Sequence, residues 1–174
     1  MYQKIMTRMP MYDEEAVQPM RDELLAYGFD ELRTAEEVDQ VLGQSEGTIF
    51  VVVNSVCGCA AGSARPGAGA ALQNRIIPDK MVTVFAGQDR DAVDQVRQKY
   101  LKDFPPSSPS MALFKDGKVV EMVERRHIEG RHPQEIAQHL ATVFNQHCSK
   151  QGPSVPADDF AKIIHAVACG STRG

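Results

Sequence analysis

The chain predicts an α/β fold: a mixed four-stranded central sheet with helices on both faces, extra N-terminal helices and a short C-terminal extension. Three observations carry this. Ile49-Phe50-Val51-Val52-Val53 is an unbroken run of apolar β-formers, as expected for a strand covered on both faces. Asp116-Gly117, flanked by Met111-Ala112-Leu113-Phe114-Lys115 and Lys118-Val119-Val120, is a strong short-range hairpin signal. The order of elements is helix, helix, strand, helix, strand, helix, proline-rich connection, hairpin, helix. A parallel β-α-β unit followed by an antiparallel β-β-α unit builds one mixed sheet.

Each element has a local cause. Residues 13–27 place Val17, Met20, Leu24 and Leu25 on one helical face, and Gly28 ends the helix. Thr34 opens a second helix, with Glu37 as its capping-box partner and Val38, Val41 and Leu42 as the apolar stripe. After a loop at 43–47, the strand 48–54 follows. A helix of small residues then runs to about Asn74, and Pro66 inside it predicts a kink or a restart. Residues 81–86 form the next strand. Residues 89–101 form a charged amphipathic helix with Val93, Val96 and Tyr100 inward. Phe104-Pro105-Pro106-Ser107-Ser108-Pro109-Ser110 is a rigid connection to the hairpin strands 111–115 and 118–124. A helix over 133–148 closes the fold with Ile136, Leu140, Val143 and Phe144 on one face. Gln151-Gly152-Pro153-Ser154-Val155-Pro156 reads as a linker to a short helix over 158–167 and a polar end at 170–174. The expected division is therefore a body over 1–149 and an extension over 150–174.

Bulk properties narrow the function classes. At 174 residues the chain suits one domain with a short appendage. A net charge of -4 gives no reason to expect nucleic-acid or membrane-surface binding, and no apolar run approaches a membrane span. The N-terminal ten residues lack the apolar core of a secretory signal, so a cytoplasmic location is expected. In a reducing compartment, four cysteines are not a disulfide framework.

Cys57-Gly58-Cys59 lies where the buried strand gives way to a helix. Helical N–H groups and the positive dipole end lower a thiol pKa there. A disulfide spanning one intervening residue closes a tight ring that is readily reduced. The pair therefore points to redox chemistry. A second reading uses the same cysteines as two metal ligands, with Cys148 or Cys169 and a histidine completing a tetrahedral set. The five histidines (127, 132, 139, 147 and 165) do not cluster at ligand spacing. His127, at the charged end Glu124-Arg125-Arg126-His127, reads as solvent-facing.

Two stretches resemble known families. Pro109 to Val120 resembles the second half of thioredoxins, where a cis-proline precedes a hairpin of this length. Val53-Asn54-Ser55-Val56-Cys57-Gly58-Cys59-Ala60-Ala61-Gly62-Ser63-Ala64-Arg65-Pro66-Gly67 is similar to the bacilliredoxin family, whose redox motif is Cys-Gly-Cys. Val17-Gln18-Pro19-Met20-Arg21, Thr83-Val84-Phe85-Ala86-Gly87-Gln88-Asp89 and Pro105-Pro106-Ser107-Ser108-Pro109-Ser110 agree with it. The resemblance runs from about Tyr12 to Cys148 and implies nothing for the extension that carries Cys169.

The resemblance implies a thioredoxin-like fold and a thiol–disulfide oxidoreductase that removes bacillithiol from mixed disulfides on cytosolic proteins. Disulfide isomerisation is the alternative activity. Cys57 would attack and Cys59 would resolve. No bound cofactor or metal is implied; bacillithiol is substrate or co-substrate, and the partners are bacillithiolated or disulfide-bonded proteins. Pro109 is expected to be cis, turning the Ser108 backbone toward the thiols so that a substrate chain can pair there as a short added strand. Gly58, Ser108 and Pro109 are thus expected substrate contacts. Arg65, the cation nearest the motif in sequence, is a candidate to stabilise the Cys57 thiolate or meet a carboxylate of a bound thiol conjugate, the alternative being a solvated helix residue.

Overall fold

A computed structural model describes residues 8–170; the expectations for the first seven residues and the polar end at 171–174 lie outside it. Helix α1 (Glu14–Ala26) starts at Asp13, whose carboxylate accepts from the Glu15 N–H. Gly28, at φ 108°, ends the approach to the two-residue strand β1 (Asp30–Glu31). Helix α2 (Ala35–Leu42) is capped as expected by Thr34, which accepts from the Glu37 N–H. The Glu37 carboxylate reaches back to the N–H of Arg33 rather than of Thr34.

Strand β2 (Thr48–Asn54) is buried along its whole length. The helix after the cysteines is not uniform. Residues Ala60–Ala64 form a π-helical turn, and α3 (Arg65–Ala71) continues with Pro66 in its first turn. Proline lacks an N–H, so the change of hydrogen-bond pattern just ahead of it accommodates the ring without breaking the helix. Then come β3 (Ile76–Ile77), β4 (Lys80–Phe85) and α4 (Arg90–Gln95), which extends as a second π-helical turn over Val96–Tyr100. Strands β5 (Ser110–Lys115) and β6 (Lys118–Val123) form the hairpin. Its Asp116 and Gly117 both have positive φ, 50° and 82°, the primed turn that matches strand twist. Helices α5 (Arg125–Ile128) and α6 (Pro133–His147) follow, then β7 (Lys150–Gln151) and α7 (Ala157–Gly170).

The sheet order is β1-β4-β2-β5-β6. Strand β4 runs parallel to β1 and β2; β5 is antiparallel to both β2 and β6. The four expected strands are present in the expected arrangement, and the short β1 adds a fifth at one edge. The apolar run of β2 conceals a period of two. Phe50 and Val52 enter a core with α1, α3 and α6, containing Leu24, Leu72 and Phe144. Ile49, Val51 and Val53 enter the opposite core with Val38 of α2 and Val93 of α4. Helices therefore cover both faces, and the site falls at the carboxyl end of β2, the centre of the sheet.

Two contacts fix α1 beneath that end. Arg21 is buried, pairs with Glu31 and Asp89, and lies 5.1 Å from the Phe85 ring centroid. Asn54 donates its amide to the Met20 carbonyl at 3.1 Å. At the opposite end of the protein, the segment after Cys148 lies against the body. Strand β7 pairs with β3, the Ser154 hydroxyl donates to the Tyr27 carbonyl at 2.6 Å, and Phe160 sits 6.0 Å from the Tyr27 ring.

Candidate active site

The site begins where β2 ends. Ser55 is buried, and its N–H donates to the Asn54 side-chain oxygen at 2.9 Å. Its hydroxyl sits against Cys57: Oγ lies 3.2 Å from Sγ, and the Cys57 N–H donates to Oγ at 3.3 Å. Cys57 and Cys59 are half-buried, with their sulfurs 2.7 Å apart, close enough for one thiol to donate to the other. Gly58 between them is exposed, and the position of an added Cβ would be open space. The first helical turn places the pair side by side and leaves its outer face open.

The electrostatics of the two sulfurs diverge. Burial pushes the Cys57 thiol up. The Cys59 thiol, the Ser55 hydroxyl and the N–H groups of Ala60 and Cys59 outweigh it and hold Cys57 below the ordinary thiol value. Cys59 is pushed up by burial, and further by its hydrogen bond to Cys57 and the charge there; Arg125 offsets part of this. From sequence alone, the helix-terminal field favours Cys59 as the nearer residue. In the folded chain the N–H of Cys59 itself joins that of Ala60 on the Cys57 sulfur.

The expected cis bond at Ser108–Pro109 is present. Ser110 pairs with Val53, so Ser108 and Pro109 lie beyond the end of β5, beside Asn54-Ser55. The loop is held from two sides. Arg97 donates to the Ser107 carbonyl at 3.2 Å. The Arg125 N–H donates to the Ser107 hydroxyl at 3.3 Å, and its guanidinium to the Ser108 carbonyl at 3.3 Å.

Arg65 is corrected by the structure. It is buried, donating to Glu23 at 2.9 Å and to the Asn54 side chain and the Ser55 carbonyl, both at 3.1 Å. Its helical position turns it beneath the strand end rather than out to a ligand, so it supports Ser55 from below. The cation in the field of the thiols is Arg125, whose own pKa is raised by Cys59 first and Cys57 second. Sequence reasoning passed over Arg125 as part of a charged strand end; only the return of the hairpin brings it to the motif. It also gave Ser55 no role, although a hydroxyl two residues before a reactive cysteine at a strand end was a usable signal.

Cys148 is half-buried at the end of α6, and burial first, with the charge of Asp79, pushes its thiol up. Cys169 is exposed on α7, 3.6 Å from His165 Nδ1. His127 is exposed, as expected, and accepts from the Glu124 N–H to cap α5. Among the described residues, no group of three or more His, Cys, Asp or Glu is gathered to hold a metal ion. No described helix is long and apolar enough to cross a membrane.

A sequence model of the family described as "Disulphide isomerase" matches residues 12–148. A bacilliredoxin of Shouchella clausii (strain KSM-K16) is 52% identical over 139 residues, covering 80% of this chain and 95% of that protein. The chain belongs to the bacilliredoxin family. A second bacilliredoxin, from Staphylococcus aureus (strain NCTC 8325 / PS 47), is 48% identical over 141 residues, covering 81% of this chain and 96% of its own. A solved structure described as a putative oxidoreductase with a thioredoxin fold aligns at TM-score 0.46 and 19% identity, over 62% of this chain and 89% of that one. An oxidised thioredoxin from Plasmodium falciparum aligns at TM-score 0.44 and 17% identity, over 67% and 99%. This bacilliredoxin-family chain is built on a mixed five-stranded sheet with helices on both faces, and its class is that of a thiol oxidoreductase. The family match ends at Cys148, where the sequence resemblance also ends.

Proposed function

We propose that the chain removes bacillithiol from mixed disulfides on cytoplasmic proteins, with Cys57 as nucleophile and Cys59 as resolving thiol. One observation supports this above the rest: Ser55 and the N–H groups of Ala60 and Cys59 converge on the Cys57 sulfur, while Cys59 lies beside it at 2.7 Å. The Cys57 thiolate attacks the bacillithiol sulfur, forming a Cys57–bacillithiol disulfide and releasing the protein as a thiolate. Cys59, once deprotonated, attacks the Cys57 sulfur. Bacillithiol leaves as a thiolate and the Cys57–Cys59 disulfide forms, to be reduced by an external thiol. Electron transfer is complete within the sulfur atoms, so the exchange needs no bound cofactor or metal. Gly58 leaves the approach to Cys57 open, and the backbone at Ser108 and Pro109 is the edge on which a substrate chain would lie.

Disulfide isomerisation is a second reading, favoured by the family description that matches residues 12–148. The two readings differ in substrate, so one experiment separates them. Reduced protein is offered a bacillithiolated protein and, separately, a scrambled-disulfide protein. The proposal expects faster turnover of the bacillithiolated substrate, lost in Cys57→Ser. Turnover of the scrambled protein alone would replace it with the isomerase reading.

A further inference from the structure

The side of the site opposite α1 carries a cation that sulfur exchange by itself does not require. Between residues 105–107 and α5 runs an open groove of about 480 Å³. Arg125 forms one wall of it. Its backbone N–H and one Nη are tied to Ser107 and Ser108, as described above, and the other Nη meets Glu129 at 3.4 Å. These side-chain contacts engage two of the five N–H donors of a guanidinium. Glu129 is a surface partner one helical turn away, 61% exposed, and such a pair is readily exchanged for a ligand carboxylate. The same side chain lies in the field of both sulfurs.

We infer that Arg125 anchors the carboxylate of a low-molecular-weight thiol while its sulfur is exchanged at Cys57, with the body of that thiol lying in the groove over Pro106 and Ser107. A planar guanidinium fork matches a carboxylate in two hydrogen bonds, which a protein disulfide need not supply. The contact therefore selects for small anionic thiols over protein cysteines. The anchor serves each stage of the exchange. When Cys57 attacks R–S–S–protein at the R sulfur, the Cys57–S–S–R bond forms and the protein leaves as thiolate. R keeps its carboxylate at Arg125 until Cys59 displaces it as R–S⁻. The sequence expectation of a carboxylate contact at Arg65 thus moves to a residue on the other side of the thiols.

The inference rests on Cys57 as the nucleophile, so its test separates the two claims. Reduced full-length protein is mixed with two symmetrical aromatic disulfides, the dianionic dithiobis(nitrobenzoate) and the neutral dithiodipyridine. The release of coloured thiol is followed, with the Cys57→Ser rate subtracted to remove Cys148 and Cys169. Arg125→Gln is expected to slow the anionic probe about 5-fold, the upper range for an exposed ion pair, and the neutral probe less than about 2-fold. Arg125→Lys should keep most of the anionic rate, and added salt should erode the wild-type preference for the anionic probe. Equal slowing of both probes would show that Arg125 acts only through the thiols and would overturn the inference, as would no slowing of either. If Cys57→Ser reacted with the neutral probe as fast as wild type, the nucleophile assignment itself would fall.

Discussion

Replacing Arg65 by leucine should destabilise the fold severely while leaving recognition of small anionic disulfides unchanged. The structure supplies the magnitude. The Arg65 and Glu23 side chains are each 5% exposed, so solvent screens the pair little. Removing the guanidinium leaves the Glu23 carboxylate with the Tyr27 hydroxyl donating to it at 3.1 Å, and withdraws donors from Asn54 and Ser55. Breaking a buried pair from one side costs about 3–5 kcal/mol. For a chain of this length that is a fall in melting temperature of about 10 °C. Denaturant unfolding of the reduced protein measures it. Glu23→Gln keeps an acceptor for Tyr27 and removes the stranded charge. The double variant Arg65→Leu/Glu23→Gln should therefore recover roughly 2 kcal/mol relative to the sum of the single variants. A loss below about 1 kcal/mol in Arg65→Leu, or strict additivity in the double variant, would refute the support role. Loss of preference for the anionic probe in a still-folded Arg65→Leu would restore Arg65 as a ligand contact.

Three further outcomes are expected. Ser55→Ala removes the hydroxyl on Cys57. For a half-exposed sulfur that bond is worth about 1 kcal/mol, so alkylation of Cys57 below its midpoint pH should slow roughly 5-fold. The sign follows from the lowered pKa. The wild-type rate rises through a midpoint below the ordinary thiol value, and the variant's midpoint lies higher; an unchanged pH profile would exclude Ser55 as a thiolate partner. Gly69→Ala should be destabilising despite the better helix propensity of alanine, because its Cβ would stand 2.5 Å from the fully buried Tyr27 ring; overpacking of this kind costs about 1–3 kcal/mol by denaturant titration. Truncation after Ser149 is proposed to leave a folded body with normal Cys57 reactivity, consistent with a boundary at 149/150. The loss of the half-buried Phe160 and Ile163 should cost about 2 kcal/mol. An insoluble product would place the extension within the core.

The sheet was legible because its signals are local: the apolar run of β2, the Asp116-Gly117 turn and the proline-rich loop each dictate backbone shape within a few residues. The cysteine pair was legible for the same reason; the cis bond at Pro109 was expected from its offset from the turn only together with the resemblance of residues 109–120 to thioredoxins. What escaped is what tertiary approach creates. Arg65 and Arg125 look alike as cations in the sequence, and proximity along the chain favoured the wrong one; helix rotation buries the first, while the hairpin carries the second to the thiols. Arg21 was given no structural role from the sequence, yet Glu31 and Asp89 converge on it from two other elements. The two-residue β1 is too short for a periodic signal. Similarly, residues 151–156 read as a linker, whereas the Gly152 N–H donates to the Arg75 carbonyl at 2.8 Å in a pairing no local pattern announces.

The division of labour between the two thiols is the central claim, and intact-mass analysis of Cys59→Ser after reaction with a bacillithiolated protein tests it most directly. The account predicts a single bacillithiol adduct, mapped to Cys57 and removed by external thiol, together with release of the reduced substrate protein. The Cys57→Ser variant should show neither adduct nor release. An adduct on Cys59 in Cys57→Ser would reverse the roles, and full activity of the double serine variant would contradict the redox account altogether.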